Sequence, residues 1–206
     1  MTIDKLYNQI YNDESTKNSD TFIDIFEAHQ ELIVSSNVSQ NTEVHNQVMR
    51  LTADYAHSLT TRENYTKAQP QIDLAIGLFE SYPDFNTTDL FTLEFYESLI
   101  FDRAVVNYNL KQYKNSLTDL NILSKRFPNN DKYKNWIAAA KTYSMQKIIN
   151  ILWYFIAGIV LATSLFDEQD IGDFYDYLLY GGAVILLITI VAEIIKRIRQ
   201  KSIKSG

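Results

Sequence analysis

Three histidines, His29, His45 and His57, are the side chains best suited to proton transfer or metal ligation in this chain of 206 residues. His45 and His57 stand 12 residues apart, which does not bring them onto one helical turn, and no HExxH pattern occurs. They read as polar residues of surface or core. There is no cysteine, so disulfides, thiolate metal sites and a cysteine nucleophile are all excluded. Six glycines leave neither a phosphate loop nor a dinucleotide turn, and the serines lack a nucleophile elbow. Asp167, Glu168, Asp170, Asp173 and Asp176 offer oxygen ligands, but without the ordered alternation and glycine of an EF-hand loop. A solvated turn is the expected role. No enzyme and no cofactor is expected.

The elements that carry these residues fall into two parts. Hydrophobic residues make up 46% of the chain, but they are unevenly distributed. Up to Gln146 the sequence is polar and rich in Asn, Asp, Thr and Lys; from Lys147 it is strongly apolar. A net charge of -6, with no basic patch carrying interleaved aromatics, argues against nucleic acid as a partner. The N-terminal residues lack the apolar core of a secretory signal.

Residues 148–166 contain no charge and reach about 28 Å as a helix, close to a bilayer's hydrocarbon thickness. Residues 177–195 are similar, and their one charge, Glu193, falls in the last turn where it can reach the interface. Trp153 and Tyr154 near one end, and Tyr175, Tyr177 and Tyr180 near the other, are placed as interfacial aromatics. The connection holds no Lys or Arg. Lys141 and Lys147 precede the first span, and Lys196, Arg197, Arg199, Lys201 and Lys204 follow the second. The positive-inside rule then puts both outer flanks in the cytoplasm and the acidic turn outside. The basic tail also suits anionic headgroups. Gly158 with Ala162, and Gly181 with Gly182 and Ala183, are expected to pack the two helices together, with hairpin self-association the sharper reading. No charge lies in mid-membrane, so no proton relay or ion pathway is expected.

The expected organisation is therefore a cytosolic domain at 1–146, two membrane helices within 147–196, and a basic cytosolic tail at 197–206. The Asn-, Ile- and Lys-rich composition associates the chain with a bacterial cytoplasmic membrane.

The first part carries helical periodicity throughout. Phe22, Ile25, Phe26, Leu32 and Ile33 mark one face behind a Ser19-Asp20-Thr21 cap, and Val44, Val48, Leu51, Tyr55 and Leu59 mark the next. Ile72, Ala75, Ile76 and Phe79 follow, ended by Pro83, with Pro70 predicting a helix start near Gln69 or a kink. Residues 90–110 read as one long helix. Tyr113, Leu117, Leu120 and Leu123 form a shorter one, stopped at Pro128. From Asp131 no Pro or Gly intervenes before Gly158, which predicts an unbroken helix into the first span.

The segment Arg103 to Asn130, RAVVNYNLKQYKNSLTDLNILSKRFPNN, resembles the tetratricopeptide repeat, a helix–turn–helix unit of 34 residues. Ala104, Tyr113, Ser116, Leu120, Leu123 and Pro128 carry the match. A fainter copy holds Ala56, Tyr65, Ala68, Ile72 and Ala75, and the copies are spaced by 48 residues, not by the family's repeat length. A third partial unit is expected from Asp131, with Trp136 and Ala138 to Ala140 capping the stack. The resemblance implies stacked antiparallel helix pairs, an all-α fold. In that family the first helix of each pair lines a concave surface that receives a peptide or helix. Carried over, the groove positions are Ser98, Phe101, Val105, Tyr108 and Asn109, and upstream Arg50, Ala53, His57, Thr60 and Thr61. Phe101 and Val105 replace polar members of the family's clamp for a terminal carboxylate, so an apolar or aromatic anchor is the expected ligand. The expected function is a membrane-anchored adaptor for a protein partner. The alternative is a self-assembling membrane effector or complex subunit, a homo-oligomer.

Overall fold

The computed structural model describes residues 1–12, 18–39, 41–86, 88–166 and 172–204, with the backbone alone over 199–204. Among these residues there are nine α-helices and no strand. They fall into two compact units, Met1–Asn130 and Asp131–Gly206.

In the first unit, α1 (Ile3–Asn12) buries Ile3, Leu6 and Ile10, a single helical stripe. Helix α2 (Ser19–Ala28) is capped by Asn18, whose side chain accepts from the Asp20 N–H at 2.9 Å; the cap lies one residue before the predicted cluster. His29 interrupts the helix, and α3 (Gln30–Ser35) follows as a separate short element. Helix α4 (Thr42–Thr61) starts at Asn41, which accepts from the N–H groups of Glu43 and Val44. Both α1 and α2 pack on α4, where Phe26 stacks on Tyr55 with ring centroids 3.9 Å apart.

Two helix pairs follow. Helix α5 (Tyr65–Glu80) packs antiparallel against α4, and α6 (Glu94–Asn109) pairs likewise with α7 (Tyr113–Arg126). Helix α5 begins at Tyr65 and runs through Pro70, earlier than proline alone predicts. Near an N-terminus the lost Pro N–H removes one bond, to Thr66, while the following turns continue.

The two pairs turn in the same way. Glu63 and Lys111 adopt φ of 58° and 61°, the left-handed region that ends a helix. At each turn a backbone N–H reaches back five residues, Asn64 to Leu59 at 2.9 Å and Gln112 to Asn107 at 2.8 Å. Ala56 and Ala104, Ala68 and Ser116, Ile72 and Leu120, and Ala75 and Leu123 form four matching pairs, and all eight residues are fully buried. Small residues there let the helices approach, and the longer apolar ones fill the space between. The observed architecture is thus packed helix pairs, compatible with a helical repeat.

Residues 81–93 account for much of the long spacing. They form 3-10 turns at Pro83–Phe85 and Leu90–Thr92, so residues 90–110 are not one helix. The insertion is anchored by Tyr82 edge-on to Phe85 at 4.8 Å and Phe91 edge-on to Tyr96 at 5.2 Å. Tyr96 also donates to Glu80 at 2.9 Å, and burial, with that bond, pushes its phenol up to about 12.

The second unit contains α8 (Asp131–Leu165) and α9 (Asp173–Lys204), packed against each other. Helix α8 is unbroken over 35 residues. Both helices are long and apolar enough to cross a membrane, with mean hydropathies of 2.0 and 2.4 and only 6% of each apolar window buried. Their surfaces carry Ile151, Phe155, Val160, Leu161, Leu187 and Val191, all exposed. Asp167, Glu168 and Asp170 of the acidic turn lie outside the described residues; Asp173 and Asp176 open α9.

Candidate functional site

Helices α4 and α6 lie side by side within the first unit, so their adjoining faces bound one groove. It holds a cavity of about 270 Å³, to which α4 contributes Ala53, Asp54 and His57. Helix α6 contributes Glu94, Phe95, Ser98, Leu99 and Asp102. Leu99 and Ala53 are buried and give an apolar base; Phe95, at 45% exposed, leaves an aromatic face at the surface.

The polar groups are ordered by their neighbours. Asp102 is only 6% exposed, and its Oδ2 accepts from His57 Nδ1 at 2.7 Å. A carboxylate only accepts, so this bond requires the proton on Nδ1. Asp54 Oδ2 accepts from the phenol of Tyr11 on α1. Burial pushes the Asp54 carboxyl up, against the Tyr11 hydrogen bond and the charges of Arg50 and His57. The Tyr11 phenol is raised as well, by burial first and by Asp54 second. Arg50 sits at the rim, its guanidinium 4.9 Å from the Phe95 ring centroid, 5.2 Å from that of Tyr11 and 3.8 Å from Asp54.

Of the groove positions expected from the sequence, Ala53, His57 and Ser98 line this cavity and Arg50 borders it. Phe101, Val105 and Tyr108 are half-buried along α6 outside it, and Tyr108 lies edge-on to Tyr113 at 5.7 Å. Asn109 is exposed and donates to the Val105 carbonyl at 2.9 Å. Thr60 and Thr61 donate to the Ala56 and His57 carbonyls of their own helix. The sequence reading missed Asp54, Glu94, Phe95 and Asp102.

In the second unit Trp153, Tyr154, Tyr177 and Tyr180 are exposed, and Tyr175 is half-buried. Lys196 is not simply a solvated interfacial charge. Its Nζ donates to Gln146 Oε1 across the hairpin and lies 3.4 Å from Glu193, so it ties α9 to α8. Arg197 is exposed and 3.9 Å from Glu193; the Arg199 side chain lies outside the described residues. Gly182 faces α8 so closely that a Cβ there would come within 3.1 Å of Ile159 Cγ2. Gly158 and Gly181 have nothing within 4 Å. Gly158 and Ala162 line an open apolar groove of about 370 Å³ with Ile151, Tyr154 and Phe155.

No protein-family model matches the chain, and no curated protein or solved structure does.

Proposed function

We propose that this protein is a membrane-anchored adaptor. Its tetratricopeptide-like helix pairs receive a segment of a protein partner, and the α8–α9 hairpin holds the domain at the cytoplasmic face of a bacterial membrane. The observation that carries the reading is the groove between α4 and α6, where the first helices of two equivalent pairs expose an aromatic ring and polar side chains around a preformed cavity. Orientation follows from the basic flanks of the hairpin against its lysine- and arginine-free turn.

The test is affinity capture with the full chain in detergent, comparing wild type with a Phe101→Ala/Tyr108→Ala variant and a Phe95→Ala variant of unchanged melting temperature. The adaptor reading expects a partner retained by wild type and lost from Phe95→Ala. Recovery of that partner by both variants would remove the groove from the account.

A second reading, a self-assembling membrane effector, draws on the open groove beside Gly158 and Ala162, which the hairpin's own packing leaves uncovered among the described residues. It expects dye leakage from vesicles carrying the protein, abolished by Gly158→Leu. Intact vesicles with either chain would leave the adaptor reading alone.

A further inference from the structure

Helix α1 lies along α4 in a fixed parallel register. Two contacts set it, Asp4 with Gln47 and Tyr11 with Asp54, and each joins residues 43 apart. The Tyr11 end of α1 reaches the groove itself. The Arg50 guanidinium lies 5.2 Å from the Tyr11 ring centroid and 4.9 Å from that of Phe95, which borders the cavity from α6. Asp54 lines the same cavity, and its Oδ2 is taken by the Tyr11 phenol. Helices α1 and α6 therefore flank α4, and α1 covers the α4 face on one side of the groove.

The seat beneath α1 is imperfectly satisfied. The apolar stripe of Ile3, Leu6 and Ile10 is buried there, but it shares the seat with Gln47, Asp54 and Tyr11. Gln47 is 4% exposed; its Nε2 donates to Asp4 and to Glu43, each at 3.2 Å, while its Oε1 is buried with no hydrogen-bond partner among the described residues. Burial also opposes the charge of Asp54. An unsatisfied buried acceptor and a desolvated carboxylate both favour an arrangement that brings them water or another donor. A helix of ten residues does not hold itself in water, so α1 is helical by virtue of its seat. We propose that α1 is a built-in occupant of the α4 face, a strap over one side of the α4–α6 groove that gives way to an amphipathic helix of the partner. The proposal rests on the groove being the partner site. The replacing helix carries apolar residues at its first, fourth and eighth positions, as Ile3, Leu6 and Ile10 do in α1, and supplies the donor that Gln47 Oε1 lacks.

The test uses the full chain in detergent micelles. In amide hydrogen exchange read by mass spectrometry, α1 is expected to exchange about tenfold faster than the centre of α4. Tyr11→Phe, which keeps the ring and loses the donor to Asp54, should speed α1 further. A fluorescein-labelled peptide of residues 2–12 then probes the seat by fluorescence anisotropy. Wild type excludes it, because the tethered α1 competes at high effective concentration. Leu6 is fully buried, so Leu6→Asp unseats α1. That chain is expected to bind the peptide about tenfold more tightly than wild type does, while α4 to α7 keep their exchange protection. Exchange of α1 at the rate of α4 in wild type, equal binding of the peptide by both chains, or loss of protection throughout the first unit on Leu6→Asp would overturn the strap. Capture of the cellular partner separates the strap from the groove. A partner lost on Phe95→Ala, yet captured no better by Leu6→Asp than by wild type, keeps the groove and discards the strap.

Discussion

At the scale of single residues, Asp54 is a carboxylate whose charge is opposed by its burial. Its folded pKa is raised, so the folded state holds the proton more tightly than the unfolded chain does. This contribution to stability is fully present below the ordinary carboxylate range and is lost as pH rises through the elevated folded value. Asp54→Asn retains an acceptor for Tyr11 but carries no charge. Its melting temperature should exceed that of wild type at pH 7, and the gap should close toward pH 4. A gap that widens on acidification would show that the carboxylate stabilises the fold. Ser116 gives a second case. Its hydroxyl is fully buried and has no hydrogen-bond partner among the described residues, while Ala68 fills the matching place in the other pair. Ser116→Ala should raise stability by about 1 kcal/mol in denaturant unfolding, because an unsatisfied buried hydroxyl is removed without a change of shape. Neither feature is legible in sequence. Periodicity identifies that Asp54 and Ser116 lie on helices, but not whether a neighbouring chain segment supplies a partner. Phe95 was hidden for a related reason: α6 packs against α4, α5 and α7, so it is apolar on most faces and its one exposed ring looks like core.

At the scale of elements, the helix pairs follow from residues that the sequence displays. Alanine at 56 and 104 and tyrosine opening the second helix at 65 and 113 announced both pairs, including their spacing. The boundaries were less legible where local rules compete. Pro70 argues for a later start, yet packing of Ala68 and Ile72 on the first helix holds the turn before it. Leu90 to Leu93 is apolar enough to extend α6, but Asp89 caps a 3-10 turn instead, accepting from the Phe91 N–H at 3.2 Å. In the hairpin, spacing alone makes Gly158, Gly181 and Gly182 equivalent, and only the helix register distinguishes them. Gly182→Leu should lower the melting temperature in detergent, since its side chain must displace Ile159, at a cost of about 1–3 kcal/mol. Gly158→Leu should leave it unchanged. The reverse order would mean that the two helices pack through the other face.

At the scale of the whole molecule, each unit has its own means of cohesion. The first buries an aromatic and aliphatic core along α4, α5, α6 and α7, with Arg103 bonded twice to Asp119, at 2.8 and 2.9 Å, as a polar tie between α6 and α7. The second exposes its apolar surface and keeps few buried groups, Thr189 and Ile149 among them. An apolar surface of that kind is the expected state of helices solvated by lipid, and a liability in water. Composition alone separated the two regimes, because the sequence turns strongly apolar at Lys147. The acidity of the groove was not visible at this scale: a net charge of -6 spread over the chain does not reveal that three carboxylates share one cavity.

The most direct measurement is site-specific photocrosslinking of the full chain in its own membrane, with benzoylphenylalanine at Ser98 inside the groove or at Thr118 on the exposed face of α7. The adaptor account predicts a discrete heterologous adduct from position 98, absent from position 118 and lost when Asp102→Asn is added. Adducts of equal yield from both positions, or only a dimer of the chain itself, would contradict it.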